Sequence, residues 1–201
     1  MMTIEKAITY IYNHGGIIRY SDALEAGIAS KTFYTMRDMG ILIQLSRGLY
    51  RLVDASPPGN PDLLTVSLKY PKAVICLISA LDYYNLTEQI PRFVYIALPR
   101  DAEQPRNEHP PLLIIWLSKK MYRAGIQEVS VDNKAVKIYT IEKTITDCFK
   151  FRNKIGLDVA VDAIKRYFDL PAKDQDFNAL MDYAKLNRVD KIMMPYFEAL
   201  L

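Results

Sequence analysis

Five of the eight glycines in this chain fall within its first fifty or so residues, at positions 15, 16, 27, 40 and 48. Each one interrupts a helical or strand pattern, so no element between them can run beyond a few turns. The opening of the chain must therefore fold as an assembly of short pieces that bury their apolar faces against one another.

The pieces can be read in order. Before Gly15, the apolar residues Ile4, Ala7, Ile8 and Ile11 recur at three- and four-residue spacing behind Thr3, a good capping residue, which predicts a first amphipathic helix. "IIRY" reads as a short extended piece. Ser21 is then positioned to cap a second helix, "DALEAG", of about two turns, whose Gly27 supplies the left-handed end conformation. Ser30 is positioned to cap a third helix, "KTFYTMRDM", which runs to Gly40. Two strand patterns follow, "ILIQL" and "LYRL", joined through Ser46, Arg47 and Gly48 as a hairpin.

Three helices and a hairpin within roughly 50 residues make the plan of a winged helix-turn-helix, in which the second and third helices form the DNA-reading pair and the hairpin is the wing. On the third helix, Ala29, Phe33, Met36 and Gly40 share one face and are expected to pack on the first helix, with Lys31, Tyr34, Thr35 and Asp38 opposite. That outer face carries groove chemistry. Lys31 can pair with a phosphate or a guanine, Tyr34 and Thr35 offer hydroxyls, and Ser30 with the helix N-terminus offers donors to a phosphate. Arg47 at the wing tip can reach the adjoining backbone or the minor groove, and Arg51 points the same way if the strand alternation holds. Arg37 falls near the buried face, so it either snorkels along the core, braces the wing or joins the DNA-contacting set. From Lys31 to Arg51 the ionisable residues are Lys31, Arg37, Asp38, Arg47 and Arg51, a local positive balance in a nearly neutral segment. The alternative is a protein-interaction module whose Lys and Arg are ordinary solvated surface.

A chain of 201 residues, half of them hydrophobic, can bury one sizeable core or two smaller ones. The run "DASPPGNPD" reads as a stiff linker, which divides the chain into residues 1–55 and residues 56–201. The second part reads as mixed α/β. Helix "LLTVSLKY", strand "AVICLI", helix "ALDYYNL" capped by Ser79, and strands "FVYIAL" and "LLIIWL" come first, then strands "IQEVSV" and "AVKIYTI" joined through Asp132, Asn133 and Lys134. The helical patterns "EKTITDCFKFR", "DVAVDAIKRYF", "FNALMDYAKL" and "KIMMPYFEALL" follow and are expected to form a helical layer over the sheet. The fold class expected overall is α+β.

Little in the second part points to catalysis. Cys76 and Cys148 sit in apolar surroundings without ligand spacing, and His14 and His109 belong to no ligand-spaced cluster, so neither a disulfide framework nor a metal or cofactor site is expected. No Gly-rich phosphate loop or nucleophile elbow appears. Glu142, Lys143 and Asp147 could do acid–base chemistry, but helix-end electrostatics and an exposed ion pair explain them more simply. Tyr83, Tyr84, Tyr95, Tyr122, Tyr139, Tyr167 and Tyr183 read as core rather than base-stacking platforms. Lys119, Lys120, Arg123, Lys150, Arg152, Lys154, Lys165 and Arg166 could form a second cationic surface only if folding brings some of them together. The net charge of +3 is compatible with a polyanionic partner without requiring one. With no apolar run of membrane-spanning length and no basic-then-apolar start, a cytoplasmic protein is expected.

Taken together, "GGIIRYSDALEAGIASKTFYTMRDMGILIQLSRGLYRL", "LISALDYYNLTEQIPRFVYIALPR" and "IYTIEKTITDCFKFRNKIGLDVAVDAIKRYF" resemble the AbiEi antitoxins of type IV toxin–antitoxin systems across nearly the whole chain. The resemblance lies in the third helix and the Arg-Gly-hydrophobic-Tyr wing, followed by the Ser-Ala-Leu helix, the Ile-Pro lead into a strand and the Glu-Lys-Thr helix. It implies a bacterial, non-enzymatic antitoxin whose winged domain represses its own operon at inverted repeats of double-stranded DNA. It further implies a monomer or weak dimer that places two copies on its operator. The second domain would counter a nucleotidyltransferase-like toxin without a stable complex. By resemblance, Lys31, Tyr34, Thr35 and Arg47 inherit DNA contacts. Stand-alone regulators share this layout, which leaves a plain winged-helix regulator as the alternative.

Overall fold

A computed structural model describes residues 2–55, 59–106 and 109–199. The chain forms two compact units, one comprising residues 1–71 and 129–136, the other residues 72–128 and 137–201. The Pro-rich centre of the expected linker, residues 56–58, and with it the expected boundary after residue 55, lies outside the described residues.

The first unit opens with α1 (Ile4–Asn13), whose Thr3 hydroxyl accepts from the Lys6 amide at 3.4 Å and whose Ala7 and Ile11 are fully buried. β1 (Ile17–Arg19), α2 (Tyr20–Glu25), α3 (Ser30–Asp38), β2 (Leu42–Ser46), β3 (Leu49–Leu52) and α4 (Pro61–Lys69) follow in it. The extended "IIRY" does more than link two helices. Ile17, Ile18 and Arg19 pair antiparallel with Arg51, Tyr50 and Leu49, so β3 becomes the middle of a three-stranded sheet ordered β1-β3-β2. A third strand matters because a lone two-stranded ribbon is marginal in water. The wing is thereby tied to the bundle through Ile18, Leu42, Tyr50 and Leu52, which share a core with Ala7, Ile11, Ala23, Ile28, Phe33 and Met36. Arg19 fastens the unit further, donating to Asp22 at 2.9 Å and to the Leu68 carbonyl of α4 at 3.0 Å.

Two caps expected in this unit are absent. Ser21 lies inside α2, which begins one residue earlier behind Arg19, and Ser30 is the first residue of α3, behind Ala29. Neither helix has a side-chain cap, because the extended cap positions fall to Arg19 and Ala29, whose side chains carry no acceptor for the first-turn amides.

Next come β4 (Val74–Ile75), α5 (Leu77–Tyr83), β5 (Val94–Pro99), β6 (Leu112–Leu117) and α6 (Lys119–Arg123) of the second unit, then β7 (Ile126–Val131) and β8 (Lys134–Tyr139), whose residues 129–136 belong to the first unit and the rest to the second. The helices α7 (Ile141–Lys150), α8 (Arg152–Ile155), α9 (Leu157–Phe168), α10 (Phe177–Asn187) and α11 (Asp190–Glu198) follow. The sheet is five-stranded, ordered β6-β5-β4-β8-β7, with β5 parallel to β6, β4 parallel to β8 and β4 antiparallel to β5. The β7–β8 turn is the expected hairpin, with Asp132 and Asn133 both left-handed. The short helices α6 and α8 were not legible in the sequence, since five and four residues carry too little periodicity.

The run "AVICLI" is a strand only at Val74–Ile75, and helix α5 already begins at Leu77. An uninterrupted apolar run suits a buried strand and a buried helix equally, and tertiary contact decides. Ser79, expected as a cap, is instead buried inside α5, where its hydroxyl donates to the Phe93 carbonyl and accepts from the Tyr95 amide, stapling the helix to β5.

The largest departure is α7. Thr140 caps it, accepting from the Lys143 amide at 3.3 Å, and all residues from Glu142 to Phe149 are buried because α5, α9 and α10 pack around it. The expected exposed ion pair is therefore a buried one. The Lys143 ammonium donates to one Asp147 oxygen and lies 4.4 Å from the Tyr139 ring centroid, while Asn187 donates to the other Asp147 oxygen at 2.8 Å and to Thr146 at 3.0 Å. Glu142 accepts from the Tyr167 hydroxyl at 3.2 Å and the Asp176 amide at 3.4 Å. Buried charges survive folding only when matched in this way. Gly125 makes the site possible: a Cβ there would lie 2.7 Å from the Lys143 Cβ, and its φ of +72° is left-handed. The tyrosines behave as core expects: Tyr95, Tyr139 and Tyr167 are buried and Tyr83, Tyr84, Tyr122 and Tyr183 partly so.

Among the described residues no helix is long and apolar enough to cross a membrane.

Candidate nucleic-acid interface

The outer face of α3 follows from its inner one. Phe33 and Met36, three apart, are fully buried, which turns Lys31, Tyr34, Arg37 and Asp38 to the exposed side, with Thr35 half-exposed between. Phe33 sets the orientation. Its ring stands edge-on to Tyr50 of β3 at 4.9 Å and to Tyr20 of α2 at 5.1 Å, so helix pair and wing meet on one aromatic group.

The candidate residues divide by what they already hold. Lys31 is exposed and, among the described residues, forms no ion pair. The Arg47 side chain at the β2–β3 turn is likewise exposed and unpaired among them. Thr35 donates its hydroxyl to the Lys31 carbonyl at 2.8 Å, which leaves it able only to accept. Ser30 accepts from the Tyr20 hydroxyl at 3.0 Å.

Two arginines differ from expectation. Arg37 does not snorkel along the core; its guanidinium lies 4.8 Å over the Tyr34 ring and pairs with Asp38 at 2.7 Å, because three residues beyond Tyr34 on a helix is the neighbouring surface position. Arg51 is not held out towards a partner, since its guanidinium donates to the Ala55 carbonyl and is half-buried. As the central strand, β3 has both neighbours occupied, and the long Arg51 side chain turns back to satisfy the carbonyl that follows the wing.

Tyr20 is the member that sequence reading missed. Its ring tilts against Tyr34 at 5.4 Å, continuing a stack of Tyr20, Tyr34 and Arg37 along the surface. The Tyr20 hydroxyl, by hydrogen bonding and then by charge, raises the Tyr34 phenol above its ordinary range, with Arg37 acting more weakly in the opposite sense. Tyr34 thus stays a neutral donor at physiological pH. Starting α2 one residue earlier would have found Tyr20, since its side chain then leads a helix abutting α3 rather than ending a strand.

Among the described residues no group of three or more His, Cys, Asp or Glu could hold a metal. The two cysteine thiols are pushed well above their ordinary range, first by burial and then by the Asp147 charge.

Residues 7–53 match the family model described as "Transcriptional regulator, AbiEi antitoxin", a span running from α1 to just past the wing. No curated protein matches the chain significantly. The three-helix unit with its tied-down wing is thus the part of the chain that is similar to the AbiEi family of antitoxin transcriptional regulators.

Proposed function

We propose that this protein is the antitoxin of a type IV toxin–antitoxin pair. It binds operator DNA through α3 and the wing, represses its own operon and counters a nucleotidyltransferase-like toxin without a stable complex. The observation that carries the DNA-binding reading is the pair of unengaged cations, Lys31 at the start of α3 and Arg47 at the wing tip, on the domain that matches the regulator family. Lys31 reads a base edge or a phosphate in the major groove, Tyr34 and Thr35 fix the register, and Arg47 holds the adjoining backbone or minor groove. Arg37 joins them by exchanging partners. An exposed pair such as Arg37–Asp38 contributes at most about 1 kcal/mol, so a phosphate can displace Asp38. Two copies on an inverted repeat supply the affinity, in the cytoplasm and with no catalytic step.

A gel shift on the gene's own upstream DNA tests the reading directly: a discrete shift resistant to random competitor supports it, and equal loss to random DNA rejects it. Arg47→Ala should weaken binding to every sequence and reduce the slope of log affinity against log salt by about one unit, as removal of one phosphate contact requires. An unchanged slope would remove Arg47 from the interface. Lys31→Ala should cost roughly 1–3 kcal/mol on the operator and relax preference at one base position. Equal weakening on operator and random DNA would make Lys31 a backbone contact. The second reading, a stand-alone regulator, is favoured if no nucleotidyltransferase-like gene is adjacent and a co-expressed toxin is not relieved.

A further inference from the structure

Of the eight basic residues of the second half considered as a cationic surface, folding engages several elsewhere. Lys150 donates to the Asn187 carbonyl, Arg152 to the Phe149 carbonyl, and Arg166 to Glu88 and Asp162. Two of the others, Lys119 and Arg123, begin and end α6 and line a concavity of about 350 Å³ together with Lys72, Pro99, Asp101, Ala102 and Tyr122. Lys119 pairs with Asp101 at 3.2 Å, and that pairing, helped by the Lys72 charge, holds the Asp101 carboxyl below its usual range. Lys72 and Arg123 are exposed and have no ion-pair partner among the described residues. The concavity thus keeps two uncompensated positive charges of different shape.

Its place in the fold is the second observation. β5 and β6 run parallel and in register through Pro99 and Leu117, so Pro99, Asp101, Ala102 and Lys119 all lie at or just beyond the carboxyl ends of a parallel pair. β4 runs antiparallel to β5, which brings Lys72, just ahead of it, to the same edge. The carboxyl ends of parallel strands are where open α/β sheets bind ligands, since the loops there are loosely constrained while their roots are rigid. The floor is fixed: Tyr122 donates its hydroxyl to the Lys72 carbonyl, and the buried Tyr139 donates to the Tyr122 carbonyl at 2.8 Å. The volume is in the range of small-molecule sites.

We propose that this concavity binds the phosphate chain of a nucleotide or short polyphosphate, with Arg123 gripping one phosphate through its planar fork, Lys72 neutralising the next and Tyr122 forming the floor. A guanidinium and an ammonium lining one concavity match adjacent phosphates better than a lone carboxylate, whose charge would leave one of them uncompensated. The site is independent of the DNA-binding reading, because its residues belong to the other unit.

The test is calorimetric titration of the full chain with sodium tripolyphosphate and, in a separate arm, with ATP. Saturable binding of either is expected, and Lys72→Ala/Arg123→Ala should weaken it about tenfold or more, as loss of charged hydrogen bonds implies. Lys154→Ala/Lys165→Ala removes the same charge from other exposed positions of the unit and should leave binding unchanged. Equal affinity for the two probes assigns the site to phosphate alone, and tighter binding of ATP adds a base contact. No binding of either probe, equal weakening by the two doubles, or loss on Lys31→Ala/Arg47→Ala instead would overturn the proposal. Matching thermal transitions establish that the variants fold.

Discussion

Asp147→Ala should destabilise the second unit by about 3–5 kcal/mol, the usual consequence of stranding one partner of a buried pair. Asp147 accepts from Lys143 through one carboxylate oxygen and from Asn187 through the other, and both donors are buried. With the carboxylate gone, the Lys143 ammonium keeps only the Tyr139 ring as compensation, a cation–π contact of about 2 kcal/mol when desolvated. That is too little to offset burial of the charge. Lys143 cannot easily swing out either, since its stem is pressed against Gly125 and α7 is enclosed by α5, α9 and α10. Urea denaturation of the full chain measures the loss. The informative companion is Lys143→Met/Asp147→Leu, which removes both charges at similar volume and should recover most of the stability that the single variant loses. If Asp147→Ala unfolds within about 1 kcal/mol of the parent, the pair is not the buried centre described for α7.

Phe33→Ala is the corresponding lesion in the first unit, where truncation of a buried aromatic costs about 3–5 kcal/mol. Its fully buried ring is the common contact of Tyr20 and Tyr50. The cavity would therefore loosen α2 and the wing strand together. A small unit has little stability to lose, so operator binding should disappear with the fold. Lys31→Ala, by contrast, should weaken binding while leaving the unfolding curve in place. The two variants measured by gel shift and urea melt separate a residue that builds the unit from one proposed to contact DNA. Phe33→Ala with native stability and native binding would show that Phe33 does not join helix pair and wing.

Much of the first unit could be read from residue order because its determinants are short-range. Glycine stops, apolar spacing in α1 and α3 and the turn around Gly48 act within a few residues, and the elements they predict are those that form. The exposed face of α3 follows from the same periodicity. What failed depended on neighbours distant in sequence. Ser79 looks like a cap until β5 presents the Phe93 carbonyl and Tyr95 amide to it. Arg51 looks like a wing contact until β1 occupies the far side of β3 and Ala55 returns within its reach.

The sequence by itself determined the kinds of element, their order and which side of each short helix is apolar, because those follow from steric and solvation preferences acting over one or two turns. Only the tertiary structure decided which charges are left for a partner. It enclosed α7 and so turned Lys143 and Asp147 from surface residues into a buried pair, engaged Arg51 inside the domain, and gathered Lys72 and Arg123 at one sheet edge. The reason is that a charge has no fixed role along a chain. Its role depends on the dielectric and the partners supplied by segments tens of residues away, and those exist only once the layers have packed.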